Sequence, residues 1–126
     1  MYYYVLILYI CKMNNQFFDT WTTQLKKGLL SFIILSVLKH KECYGYELIS
    51  EVQNQLQIDI AEGTLYPLLN RLKDEELVTS KWVEQGSGMP RKYYNITESG
   101  LSTLKSMNEY WINMNFSIQK LILTNV

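Results

Sequence analysis

Residues 61–75 read Ala-Glu-Gly-Thr-Leu-Tyr-Pro-Leu-Leu-Asn-Arg-Leu-Lys-Asp-Glu, and this stretch decides the fold. Leu65, Leu68, Leu69 and Leu72 recur at steps of three and four, the period of one helical face. Glu62, Gly63, Thr64, Tyr66, Pro67, Asn70 and Arg71 fall on the other side, polar or small enough to meet a partner. Upstream, Tyr46, Ile49, Val52 and Leu56 form a second stripe, which predicts a helix over 44–56. Only residues 57–60 separate the two helices. A pair of short helices joined by a few residues, the second polar on one side, has the form of a helix-turn-helix.

Downstream, Leu77–Val83 and Arg91–Ile96 are rich in β-branched and aromatic residues. Between them lies Glu84-Gln85-Gly86-Ser87-Gly88-Met89-Pro90, dense in turn formers, so the segment predicts a hairpin. A hairpin directly after a helix-turn-helix is a wing. In front, Leu25, Leu29, Phe32, Ile33 and Val37 predict a helix over Thr22–Lys39, with Lys39-His40-Lys41 where the helix dipole favours positive charge. The expected order is α-α-α-β-β-α, mainly α with a small β-hairpin: a winged helix-turn-helix with a long C-terminal dimerisation helix.

That last helix is predicted from Thr97, a side chain able to cap it, to Leu123. Leu104, Trp111 and Ile118 are spaced by seven, as are Met107, Met114 and Leu121. Interleaved, they form the seam of a coiled coil. The stripe can equally pack on its own domain; the helix is too long for a small winged helix to cover, which favours a homodimer.

The first residues follow another logic. Tyr2–Cys11 is an unbroken apolar and aromatic run, too short to span a bilayer and without the basic start of a signal peptide. Met13 opens a polar stretch and is read as the natural start, with residues 1–12 an upstream extension or an extra packing strand. The division expected is 1–21 as an extension, 22–96 as the winged helix-turn-helix and 97–126 as the dimerisation helix.

Twelve basic residues balance twelve acidic ones, a neutrality that argues mildly against nucleic acid. Distribution matters more than the sum, because binding depends on the field at one face. Cys11 and Cys43 read as reduced thiols of a cytoplasmic protein, and His40 beside Cys43 lacks the further ligands a metal needs. With one histidine, no phosphate-binding glycine loop and no nucleophile–base pair, neither an enzyme nor a cofactor is expected.

In a helix-turn-helix the second helix enters the major groove, with its N-terminal residues at base edges. Glu62, Gly63, Thr64, Tyr66, Pro67, Asn70 and Arg71 are therefore the candidate DNA-contacting set. Asn70 suits adenine and Arg71 guanine, and Gly63 allows close backbone approach. Arg91 and Lys92 on one strand, Lys81 on the other and Lys26 on the first helix make a small basic set for phosphates. For each of these, an ordinary solvated surface is the competing explanation. Trp111, mid-seam, could stack on its symmetry mate or on a planar ligand, or serve as plain packing.

Three stretches together resemble the PadR-like transcriptional regulators: Tyr44-Gly45-Tyr46-Glu47-Leu48, Glu62 to Leu72, and Gly88-Met89-Pro90-Arg91-Lys92-Tyr93-Tyr94-Asn95-Ile96-Thr97-Glu98-Ser99-Gly100. The resemblance spans about residues 28–123 and is carried by all three in order. It implies a winged helix with one dimerisation helix, the short class, and repression of a nearby operon. It places Gly63-Thr64-Leu65-Tyr66 on the recognition helix and Arg91-Lys92 on the wing. It also implies that a tryptophan at the place of Trp111 can line an interface for aromatic or cationic small molecules. Tyr44 and Tyr46, like Tyr93 and Tyr94, read as core or interface aromatics, with a phosphate-bonding hydroxyl as the alternative that adds Tyr44 to the DNA-contacting set. The apolar start departs from the family pattern.

The expected partners are a double-stranded DNA operator of palindromic form, a second copy of the chain, and a planar aromatic or cationic effector, with no membrane. Two other classes stay open: a winged helix that docks a protein, and a sensor that sequesters its ligand.

Overall fold

The computed structural model describes residues 2–124; Met1 and the last two residues of the expected 97–126 segment lie outside them. The order is α1 (Tyr2–His40), β1 (Cys43–Tyr44), α2 (Gly45–Leu56), α3 (Glu62–Asp74), β2 (Val78–Val83), β3 (Arg91–Ile96) and α4 (Glu98–Leu123). Residues up to Leu30 form one compact unit and those from Ser31 onward a second.

The first unit corrects the expectation of a helix starting at Thr22 and of a packing strand before it: α1 is continuous from Tyr2. Val, Ile and Tyr favour strands, yet a lone strand leaves its backbone donors and acceptors unpaired, whereas a helix satisfies them internally. No glycine or proline interrupts residues 2–27. Tyr2–Thr20 are exposed throughout, and Phe18 stacks on Trp21 with centroids 6.0 Å apart.

In the second unit α1 contributes Ile34, Leu35 and Leu38 to a core completed by Leu48 and Val52 of α2, Leu65, Leu69 and Leu72 of α3, Val78, Tyr94 and Leu104. The α3 stripe supplies Leu65, Leu69 and Leu72 as expected, whereas in α2 only Val52 of the expected stripe is buried, with Tyr46 and Leu56 exposed, and in α1 the buried side chains are the neighbours of the expected stripe; burying apolar area is the main gain of folding. α2 starts at Tyr44, whose backbone N–H reaches Glu47 Oε1 at 3.5 Å, and stops at Gln57 in the left-handed region, φ 54°.

The sheet has an element that the hairpin pattern did not contain. Its order is β1-β3-β2, all antiparallel, with Cys43 opposite Tyr94 and Tyr44 opposite Tyr93. β1 is two residues long, too short for any alternation to announce it. β2 and β3 pair in register from Val78–Ile96 to Val83–Arg91, so Lys81 faces Tyr93 and Trp82 faces Lys92.

Thr97 fixes where α4 begins. Its Oγ1 accepts from the Gly100 N–H at 2.9 Å and donates to the Glu76 carbonyl at 2.8 Å, and its N–H donates to the Leu77 carbonyl at 3.0 Å. Gly100 lies against Leu77: a β-carbon there would be 3.1 Å from the Leu77 carbonyl carbon and closer still to Ile96. One residue thus ties α4 to the turn that follows α3.

Candidate nucleic-acid interface

α3 presents the predicted face to solvent. Glu62, Gly63, Thr64, Tyr66, Pro67, Asn70 and Arg71 are all exposed, while Leu65, Leu69 and Leu72 are buried. Pro67 lies in the second turn and does not break the helix. It removes one backbone donor there, on the open side. Nothing lies within 4 Å of where a β-carbon on Gly63 would be, so that turn is bare backbone.

The exposed residues divide between two surroundings. Tyr66 and Asn70 line a cleft of about 400 Å³ between α3 and the hairpin, together with Tyr44, Trp82, Arg91 and Lys92. Arg71 instead borders a depression shared with Leu35 of α1 and Met107 of α4. Sequence spacing put Asn70 and Arg71 in one set; the structure brings only Asn70 to the wing.

Cations and aromatic rings interleave in the cleft. The Arg91 guanidinium carbon lies 4.5 Å from the Tyr44 ring centroid, and Tyr44 meets Tyr93 edge-on at 5.4 Å. Lys92 Nζ lies 5.7 Å from the Trp82 centroid and 5.9 Å from that of Tyr94. Such stacking holds a long basic side chain in place at little cost to its charge. The lining holds no carboxylate, so the cleft is locally positive in a chain of zero net charge.

Three of the acids, Glu42, Glu47 and Glu51, are engaged elsewhere. Lys81 Nζ pairs with Glu42 Oε2 at 3.1 Å, so its charge is opposed by a carboxylate of the same chain. The register explains this: Lys81 points to the sheet face opposite Trp82 and Lys92. The Lys81 and Asn95 side chains hydrogen-bond Glu42 and hold its carboxyl below the usual range. Lys41 pairs with Glu51 at 3.1 Å and Glu47 at 3.7 Å. Lys26 is exposed on the first unit.

Trp82 is the contributor that sequence reasoning missed. It is 68% exposed, unusual for so large a ring. Its signal was present: it precedes Val83 on the strand facing Arg91-Lys92, one residue past Lys81.

The seam on α4 is graded. Leu104 is 6% exposed and Trp111 half-buried, edge-on to Phe32 with centroids 6.5 Å apart, while Met114 is 37%, Ile118 44% and Leu121 77% exposed. The stripe therefore begins in its own core and continues into the open.

With this geometry in place, comparison with known proteins is decisive. The transcriptional regulator PadR-like family matches residues 34–106. The chain belongs to that family. A PadR family transcriptional regulator from Eggerthella lenta superposes with a TM-score of 0.82 at 33% identity, over 90% of this chain and 99% of that one. A PadR-like transcription factor from Bacteroides fragilis gives 0.70 at 35% identity, over 82% and 99%. The negative transcriptional regulator PadR of Bacillus subtilis is 33% identical over 78 residues, 60% of this chain and 43% of that protein. The expected fold and the reading as a DNA-binding transcription regulator are thereby established. No helix among the described residues is long and apolar enough to cross a membrane.

Proposed function

We propose that this PadR-like chain is a non-catalytic cytoplasmic repressor that grips a palindromic operator as a homodimer. The observation that carries this is the acid-free cleft between α3 and the hairpin, where Arg91 and Lys92 are stacked on Tyr44 and Trp82. α3 would enter the major groove, with Tyr66 and Asn70 nearest the wing and the cleft astride the sugar–phosphate backbone. Residues 22–96 are the DNA-binding part and 97–126 the dimerising part. The open half of the α4 stripe supports the dimer, since an amphipathic helix needs its apolar face covered. Two-fold symmetry then requires half-sites about one DNA turn, ~34 Å, apart. Trp111, held against Phe32 where the stripe opens, suits a planar aromatic or cationic effector at that interface.

The test is fluorescence anisotropy with the duplex upstream of the chain's own gene, against a scrambled duplex, at two salt concentrations. Tighter binding to the native duplex that weakens with salt is the expected result. Equal and negligible binding to both would overturn it in favour of a protein-docking winged helix. Sedimentation equilibrium tests the dimer, with Met114→Lys/Ile118→Lys expected to give monomers. Quenching of tryptophan emission by a planar aromatic cation, lost in Trp111→Ala, tests the effector site.

A further inference from the structure

The tip of the hairpin has no part in the cleft chemistry described above, apart from Pro90. The last rung of the hairpin is Val83–Arg91, so residues 84–90 extend beyond the paired strands. Gln85 and Pro90 are half-buried shoulders, and Gln85 Nε2 donates to the Val83 carbonyl at 3.0 Å. Between these shoulders Gly86, Ser87, Gly88 and Met89 are exposed. A β-carbon on either glycine would meet no atom within 4 Å. The tip is therefore little more than backbone carrying one large side chain, Met89, which is 84% exposed.

An exposed apolar side chain is ordinary by itself. Met89 differs in how it is presented. Gly88, before it, has φ +92°, a conformation that side chains rarely adopt. Pro90, after it, steers Met89 towards extended backbone. A left-handed glycine and a proline thus bracket the one bulky group of the tip and limit the freedom it would lose on binding. Apart from Glu84 at its start, the connection holds no charged residue, so it brings no cation to a phosphate.

Its place in the fold says what it would meet. Pro90 lines the same cleft as Tyr66 and Asn70 of α3. With α3 in the major groove and the cleft astride the sugar–phosphate backbone, the surface across that backbone is the minor groove, about 6 Å wide. A tip of Gly-Ser-Gly is slim enough to enter it. Proteins that read a narrow minor groove by charge insert basic side chains. Proteins that deform it insert apolar wedges, methionine and proline among them, between base pairs. This tip has the second composition.

We propose that Met89 is a specificity-determining residue: it enters the minor groove beside each half-site, partly unstacks one base step and kinks the duplex. The proposal rests on the DNA-binding reading and adds a preference at base pairs that α3 does not touch. Pyrimidine–purine steps, TA and CA/TG, are the easiest to unstack, so these are the steps it would favour.

The test is selection of duplexes from a random-sequence pool by the full chain and by Met89→Ala and Met89→Leu, followed by end-to-end energy transfer across a selected duplex. The side chain is 84% exposed, so both variants fold. The wild type should enrich a core sequence with TA or CA/TG at a fixed offset, and kink the duplex by roughly 20–90°. Met89→Ala should enrich the same core without that flanking step, leave the duplex straighter and bind the wild-type site about tenfold more weakly, near the low end of what one base pair is worth. Its slope of log K against log salt should not move, because no phosphate contact is lost. Met89→Leu should keep both step and kink. A core enriched without the flanking step, a step and kink that survive in Met89→Ala, or a lowered salt slope in that variant would overturn the wedge and leave the DNA-binding reading standing. No enrichment by the wild type would overturn both.

Discussion

The ring of Tyr66 occupies the space that a side chain at Gly45 would need: a β-carbon there would stand 2.8 Å from Tyr66 Cζ and 2.9 Å from Cε1. The start of α2 and the exposed face of α3 are thereby set at a fixed distance, and a residue expected at DNA doubles as a spacer. Gly45→Ala should cost about 1–3 kcal/mol of stability, the usual penalty of overpacking. Tyr66→Ala in the same chain should return part of that loss. A double-mutant cycle by urea denaturation measures it, and additive losses would mean that the two residues do not meet in solution.

Arg91 and Lys81 are both basic residues of the hairpin, and only the first is free to meet phosphate. Arg91→Ala should weaken binding to all duplexes and lower the slope of log K against log salt by about 0.9, one phosphate contact. Lys81→Ala should leave that slope unchanged, since its charge is already opposed by Glu42. Titrations at four salt concentrations read both, and equal slopes for the two variants would refute the assignment.

Thr97 serves one carbonyl and one amide group with a single hydroxyl. Removing it in Thr97→Ala strips the α4 cap and leaves the Glu76 carbonyl to water, for a loss of about 1–2 kcal/mol. Thr97→Ser keeps the oxygen and should recover most of it. Thermal melts of the three proteins decide, and an unaffected alanine variant would show that α4 is held by its leucines alone.

Cys43 and Cys11 should differ sharply towards iodoacetamide. Cys43 is buried, and burial pushes its thiol up to about 11, away from the reactive thiolate. Cys11 is exposed. Intact mass after treatment at about pH 8 should show one adduct on the folded chain and two in denaturant. Because the folded value lies above the ordinary 9.0, Cys43 also makes stability fall as pH rises from about 9 towards 11. Cys43→Ser should flatten that decline.

Acid works from the other side. The hydrogen bond from Lys41 holds the Glu51 carboxyl below its ordinary 4.5, and that from Lys81 does the same for Glu42. Their folded values are depressed, so their contribution is present above pH 4.5 and is lost as pH falls through those lower values. Melting temperatures of the wild type and of Glu42→Gln/Glu51→Gln should therefore differ near neutrality and converge as pH falls below the ordinary carboxylate range. Curves that stay parallel would show that the pairs add nothing.

What the residues disclosed in advance depended on whether their signal was local. The helix of α2, the stripes of α3 and α4, the Thr97 cap and the hairpin are each written in one segment, through a period of 3.6 or a run of turn formers, though in α2 the buried face runs through Leu48 and Val52 and leaves Tyr46 and Leu56 exposed. β1 was illegible because two residues have no period and its existence depends on Tyr93 and Tyr94 lying beside it. Membership of the cleft was legible by half. That Arg91 and Lys92 lie near α3 followed from the fold, but the separation of Lys81 from Lys92 required the register, which also hid the stacking of Trp82. The first residues of α1 carry strand-forming side chains that obscure its length, while the described residues offer them no partner strand.

The pairing of Cys43 with Tyr94 also sets an order of events in folding. The hairpin of β2 and β3 closes a short loop, whereas β1 joins β3 only after about fifty intervening residues have been gathered, a larger loss of chain entropy. Contacts of such long sequence separation form late. Weakening β1, at Cys43 or Tyr44, should therefore speed unfolding with little effect on the refolding rate. Because Tyr44 also holds Arg91 in place, the cleft should be completed late in assembly, and a nascent or partly melted chain would carry α3 without it.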